Sequence, residues 1–148
     1  MKKGMGLISA LLLVLCTGCM PTMTNRGSFR AYSPEQAAGV QPALLKLGQD
    51  YGLSIVQVDR SPVGCRSLLL ICPSEVDVLP GKHEVLLRFM NRLGQRADVC
   101  VWFVAKPGRD YLAKFKRTDR DSIFTWIEDG ESKTPVGGIC GSSDEPVS

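Results

Sequence analysis

The sequence predicts a mainly β domain, a small antiparallel β-sandwich or barrel with at most one short helix near its N-terminal side. Short segments such as "LSIVQVD" and "SEVDVL" alternate apolar and polar residues, the period-2 pattern of a half-buried strand. Turn residues, including Pro80-Gly81, Pro107-Gly108 and Asp129-Gly130, recur every 8 to 15 residues, the rhythm of a sandwich or small barrel. Only one stretch, "PEQAAGVQPALLKLGQDY", carries helix-start signals, in Ser33, Pro34 and Gln36. Pro42 interrupts that stretch and leaves "ALLKL" open as an edge strand.

The elements follow in chain order. Leu53 to Asp59 reads as a strand after Gly52, and Ser74 to Leu79 as another, ended by Pro80-Gly81. L-Pro-Gly favours a type II turn, whose twist does not suit a tight two-residue hairpin. The connection there is expected to be wide or to step from one sheet to the other. "HEVLLRFM" then places Val85, Leu87 and Phe89 on one face. Ala97 to Ala105, "ADVCVWFVA", is nearly continuous apolar sequence and predicts a central strand buried on both faces. "DYLAKFKR" sets Tyr111, Ala113 and Phe115 against Lys114 and Lys116. Ser122 to Asp129 is the next strand, and a short one is expected between Pro135 and Ile139.

The chain opens with Lys2 and Lys3, followed by the apolar run Leu7 to Leu15 and the small residues Thr17 and Gly18. These are the parts of a secretory signal. The 15 residues from Gly4 to Gly18 fall short of the ~20 that a membrane-spanning helix needs. Pro21 stops any continuation of a helix. "CTGC" resembles the lipobox of bacterial lipoproteins, with small residues at the two positions before an invariant cysteine. Cys16 stands where that motif usually has leucine. The resemblance implies that residues 1–18 are removed and that Cys19 carries the lipid and anchors the chain to the membrane. Residues 19–28 are then a polar tether, 29–140 one β-domain and 141–148 a disordered tail. At 3.3–3.6 Å per extended residue the tether holds the domain up to about 30 Å from the membrane. Met20, where an inner-membrane-retained lipoprotein of many Gram-negative lineages has aspartate, points to the outer membrane, with the domain facing the periplasm.

With Cys16 discarded and Cys19 lipidated, Cys65, Cys72, Cys100 and Cys140 remain. An even number in an exported chain reads as two disulfides. Three pairings are open, and Cys65–Cys72 with Cys100–Cys140 is favoured because the first pair flanks one short segment. No metal site is expected, since the mature part has no C-x-x-C and the chain has a single histidine. The whole chain has a net charge of +3, but loss of Lys2 and Lys3 leaves 16 basic residues against 15 acidic ones, a net of +1. Nothing in that balance implies a nucleic-acid partner.

Candidate chemistry is sparse. His83 has serines and aspartates elsewhere in the chain but no G-x-S-x-G or similar elbow, so catalysis is not expected of it. Glu128, Asp129 and Glu131, with Asp119 and Asp121 upstream, flank the turn "EDGES" and read as turn chemistry rather than a catalytic pair. Arg88, Arg92 and Arg96 form one basic group and are the candidate contact residues for anionic headgroups or cell-wall acids. Lys114, Lys116, Arg117 and Arg120 form a second. Trp102, Phe103, Tyr111 and Trp126 read as core, with an aromatic ligand groove as the competing reading.

"VDVLPGKHEVLLRF", "VAKPGRDYLAKF" and "TWIEDGESKTPVGG" together resemble a type of small Gram-negative lipoprotein domain, over about residues 54 to 138. "LPGKHEV" followed by a G-x-x-Y strand is similar to the PEGA-type β-sandwich modules of envelope proteins. The resemblance implies a β-sandwich and an envelope address, and it transfers no catalytic residue. The expected function is therefore that of a non-enzymatic, lipid-anchored envelope protein without cofactor, binding another envelope protein or the cell wall. A small-ligand or glycan module is the alternative, and a cell-wall hydrolase ranks below both.

Overall fold

In the computed structural model, residues 28–48, 52–65, 72–118 and 122–141 are described. The signal segment 1–18, Cys19 and most of the tether, Asp119, Arg120, Asp121 and most of the tail lie outside these residues. Eleven strands run in order: β1 Ser28–Arg30, β2 Ala43–Leu47, β3 Leu53–Val58, β4 Ser61–Pro62, β5 Glu75–Val78, β6 Gly81–Met90, β7 Arg96–Ala105, β8 Asp110–Arg117, β9 Ile123–Asp129, β10 Pro135–Val136 and β11 Gly138–Ile139. They form a six-stranded sheet, ordered β1-β5-β2-β8-β9-β10, and a five-stranded sheet, ordered β11-β7-β6-β3-β4. The two pack face to face as a small β-sandwich. The six-stranded sheet is mixed, because β1 pairs parallel to β5 and β2 parallel to β8.

The core consists of the alternate residues that each strand turns inward. Ala43, Leu45, Val76, Val78, Tyr111, Ala113 and Ile127 come from one sheet, and Ile55, Val58, Val85, Leu87, Val101 and Phe103 from the other. In β3 strict alternation would bury Gln57, but a register shift between Ile55 and Gln57 turns Val58 inward instead. That one extra residue reconciles the sequence "IVQV" with a single buried face.

Two expectations are corrected. The Pro34–Gly39 stretch forms successive turns, and no helix occurs among the described residues. Its hydrogen bonds are of the i→i+3 kind, such as Gln36 N–H to Ser33 C=O, and Pro42 ends the run before a helix can propagate. "ALLKL" is an interior strand, bonded to β5 on one side and β8 on the other. The second correction concerns β7, which is buried on one face only. Val101, Phe103 and Ala105 point inward, whereas Val104 is half exposed and Trp102 lies partly covered on the outer face.

Among the described residues, three of the passages between sheets are tight corners. Pro80-Gly81 leads from β5 to β6 and Pro107-Gly108 from β7 to β8, so neither is a hairpin within one sheet. Gly137, with φ +77°, lies between β10 on one sheet and β11 on the other and closes that edge of the sandwich. A Cβ there would overlap the Trp102 carbonyl oxygen. Gly137→Ala combines that clash with a left-handed backbone, and should cost at least about 2 kcal/mol. Urea unfolding measures it, and a midpoint equal to wild type would remove Gly137 from the closure.

Candidate functional site

His83 stands on β6 at the start of the long hairpin. Its Nδ1 lies 2.6 Å from Asp59 Oδ2, and its Nε2 lies 2.6 Å from the Leu79 carbonyl oxygen. Asp59 Oδ1 accepts the Glu84 N–H at 2.9 Å, so this carboxylate ties the Asp59-Arg60 turn to β6. Both residues of that turn have positive φ, the conformation of a type I′ hairpin between β3 and β4. Both ring nitrogens are occupied, and no hydroxyl or thiol bonds the ring among the described residues. His83 is a structural clamp.

The carboxylates near "EDGES" are also structural. Asp129 Oδ1 accepts the N–H groups of Glu131 and Ser132, each at 2.9 Å, and its other oxygen lies 3.8 Å from Arg109. The Ser132 backbone N–H, with Arg109 adding to it, holds the Asp129 carboxyl below the usual carboxylate range. Arg109 also pairs with Glu131, and Lys114 Nζ sits 3.1 Å from the buried Glu128. Asp119 and Asp121 lie outside the described residues.

The first basic group divides. Arg88 faces Asp98 across the β6–β7 ladder and binds it through two nitrogens, each at 2.8 Å. That fork holds Asp98 below its ordinary value and raises Arg88 above its own. Arg96 lies 3.9 Å from the same carboxylate, which Arg88 already occupies. Arg92 is exposed in the β6–β7 loop, where Asn91 Oδ1 accepts the N–H groups of Leu93 and Gln95.

The aromatic residues separate cleanly. Phe103 and Tyr111 are core, with ring centres 4.9 Å apart. Trp102 lies on the outer face of the five-stranded sheet, with Lys82 Nζ 4.5 Å from its ring centre. Trp126 lies on the outer face of the six-stranded sheet, stacked on Phe124 at 5.7 Å. Lys114 pairs opposite Trp126 and Lys116 opposite Phe124, so the rings and the lysines share one face, on which Lys114 also meets Glu128. The sequence reading left Phe124 out of this set. Its signal was the two-residue spacing to Trp126 within one strand.

A second feature lies at the end of the sandwich where the β6–β7 and β8–β9 hairpins finish. It is an open cleft of about 410 Å³, with Phe89, Ala97 and Ile123 as its apolar lining and Arg96, Arg117 and Gln95 as polar lining.

Cys65 is joined to Cys72, and Cys100 to Cys140, the two pairs that the sequence reading favours. The Glu84 carboxylate approaches the sulfurs of Cys100 and Cys140 within 4.8 Å, but sulfurs joined in a disulfide offer no thiolate to a metal. Cys19 lies outside the described residues.

The fold and site define a small disulfide-closed β-sandwich with aromatic and lysine side chains on one outer face and an open cleft at one end. Comparison with protein-family models, with curated proteins and with solved structures yields no match.

The two disulfides close loops of different length, with sequence separations of 7 and 40. Chain entropy then predicts about 4 kcal/mol lost on replacing Cys100 and Cys140 by serine, and about 2.5 kcal/mol for Cys65 and Cys72. Urea unfolding of the two double variants should show that order, and the reverse order would contradict it. Asp98 and Asp129 have depressed values, so the stability they contribute is present above about pH 4 and lost as pH falls through the depressed values. Asp77, raised by burial, acts in the opposite sense and offsets part of the loss. Asp129→Asn should therefore flatten the acid limb of a urea-midpoint-against-pH curve, and an unchanged limb would contradict the assignment.

Proposed function

We propose that this chain is a lipid-anchored, non-enzymatic interaction domain of the bacterial envelope, facing the periplasm from the outer membrane. The observation that carries the interaction role is the outer face of the six-stranded sheet, where Phe124 and Trp126 stack beside Lys114 and Lys116. Phe124 is 39% exposed, on a flat strand surface above a closed core. Aromatic residues anchor protein interfaces because they bury large area at small cost in side-chain entropy. The two disulfides support an oxidising compartment. Both ring nitrogens of His83 and the Asp129 carboxylate are taken up by structural partners, which fits a binding role for these elements.

A glycan partner is the second reading, favoured by the same stacked rings, which present an apolar surface to a sugar face. One experiment separates the elements of the proposal. Cys19→Ser should abolish lipid labelling and release the protein from the membrane fraction. Phe124→Ser with Trp126→Ser should leave the anchor intact and lose a specific in-cell crosslink to an envelope protein. Retained labelling in Cys19→Ser would refute the anchor, and a crosslink indifferent to the ring variants would refute the face. Ring-dependent retention on purified cell wall, with no protein crosslink, would decide for the glycan.

A further inference from the structure

The inward row of β9 carries a hydroxyl among its apolar residues. Thr125 stands between Ile123 and Ile127 in that row, pairs with Phe115 of β8 and is 2% exposed. Its Oγ1 is buried and has no hydrogen-bond partner among the described residues. A hydroxyl taken out of water and left unbonded is destabilising. Buried side-chain oxygens are therefore nearly always bonded, to protein or to ordered water.

Strand pairing explains why the protein does not supply this bond. β10 meets β9 at two rungs, Pro135 with Glu128 and Val136 with Ile127. The same register, continued, would bring Gly138 opposite Thr125. Gly137 instead turns with φ +77°, and Gly138 pairs with Trp102 of β7 in the other sheet. The β9–β10 ladder thus stops short of Thr125. A cavity of about 10 Å³ lies at that point, lined by Thr125 and Ile127 of β9 and by Val136, Gly137 and Gly138 of the crossing. The crossing cannot fill it with a side chain. A Cβ at Gly137 would overlap the Trp102 carbonyl oxygen, and Gly138 brings only backbone.

Size and lining select the occupant. The volume is about that of one water-sized sphere, the least that holds a water molecule. A buried water needs two to four polar partners. Thr125 Oγ1 supplies one, as donor or acceptor. The two glycines present peptide groups as the opposite wall and supply the rest. No charged side chain lines the cavity among the described residues, so the chemistry suits a neutral molecule rather than an ion.

We propose that this cavity is a binding site for one integral water, hydrogen-bonded to Thr125 Oγ1 and to the peptide groups of the Gly137-Gly138 crossing. The water replaces the rung that Gly138 gives up on moving to the other sheet, and it ties β9 to the strand that closes the sandwich. The site depends neither on the anchoring reading nor on the aromatic face.

Oxygen-17 relaxation dispersion of water tests it on the full chain, because labile protein protons do not contribute to that signal. Thr125→Val, which exchanges the hydroxyl for a methyl of similar size, should lower the dispersion amplitude by the contribution of one water. Thr125→Ser keeps the hydroxyl and should keep that contribution. Thr118→Val, the same change at an exposed threonine, should leave the amplitude as in wild type. Equal amplitudes in wild type and Thr125→Val would overturn the proposal. So would an equal fall in Thr118→Val, which would make the loss non-local, or an equal fall in Thr125→Ser, which would take the hydroxyl out of the site. A second measurement needs no variant. The Gly138 amide of the wild type should show a water cross-peak with NOE and ROE of opposite sign, the signature of a long-residing water, and its absence would equally refute the site.

Discussion

Tyr111 leaves the six-stranded sheet to lie against Phe103 of the other, its ring fully buried between the two. Its hydroxyl oxygen accepts the Lys106 N–H at 2.9 Å, just past the end of β7. One side chain thus joins the sheets through apolar contact and fixes the corner by which the chain crosses between them. The arrangement matters because both sheets bury only one face. A strand arriving at the wrong height or with the wrong parity would expose its apolar residues, since a shift of one residue inverts the face. The Pro107-Gly108 corner sets the parity of β8, and with it the placing of Ala113, Phe115 and, through pairing, Ile127. The Pro80-Gly81 corner does the same for β6. Between these corners lies the long β6–β7 ladder, the longest pairing in the molecule among the described residues.

Much of this was legible because strand period and turn chemistry are local. Val85, Leu87 and Phe89, and then Tyr111, Ala113 and Phe115, can be placed on their faces by counting in twos. The mismatch between L-Pro-Gly and a tight hairpin left two outcomes, a wide connection or a change of sheet, and the second is found. What failed depended on partners distant in sequence. "ALLKL" looks like an edge because the proline before it removes a donor, but its two neighbours, β5 and β8, lie far along the chain. "ADVCVWFVA" looks buried on both faces, yet of its outward apolar residues Val104 is half exposed and two others are covered only locally. Cys100 is bonded to Cys140, and Trp102 lies under Lys82. Apolar character in a strand can thus reflect a disulfide and a cation–π contact as well as a second packed layer.

The candidate sites were legible in type and not in partnership. Arg88, Arg92 and Arg96 form a group in sequence, but only Arg88 has a carboxylate directly across the ladder. Strand pairing, which sequence spacing does not give, decides that Arg88 binds Asp98 through two short bonds and that Arg96 lies farther from the same carboxylate. The Arg88–Asp98 pair is about one-third exposed on each side, so it contributes no more than about 1 kcal/mol to stability. It also takes up the carboxylate that lies 3.9 Å from Arg96. His83 illustrates the converse. A lone histidine invites a catalytic reading, and pairing with Asp59, 24 residues away, turns it into a hairpin clamp.

The two ends of the sandwich differ for a reason built into strand length. At the Tyr111 end the chain crosses between sheets, and the segment before β2 lies near the corner, with Gly108 N–H bonded to the Pro42 carbonyl. Backbone and ring together seal that end. At the other end both long ladders, β6–β7 and β8–β9, turn back within their own sheets, and the chain passes there from β2 of one sheet to β3 of the other. The last inward rings, Phe89 and Phe115, close the core there, with Ala97 beside Phe89 and Ile123 one inward step beyond Phe115. An opening is the geometric consequence of two hairpins that outrun a shared core. Its chemistry follows from which residues those final rungs carry. Those rungs place arginine at the first residue of β7 and at the last of β8, with alanine beside Phe89.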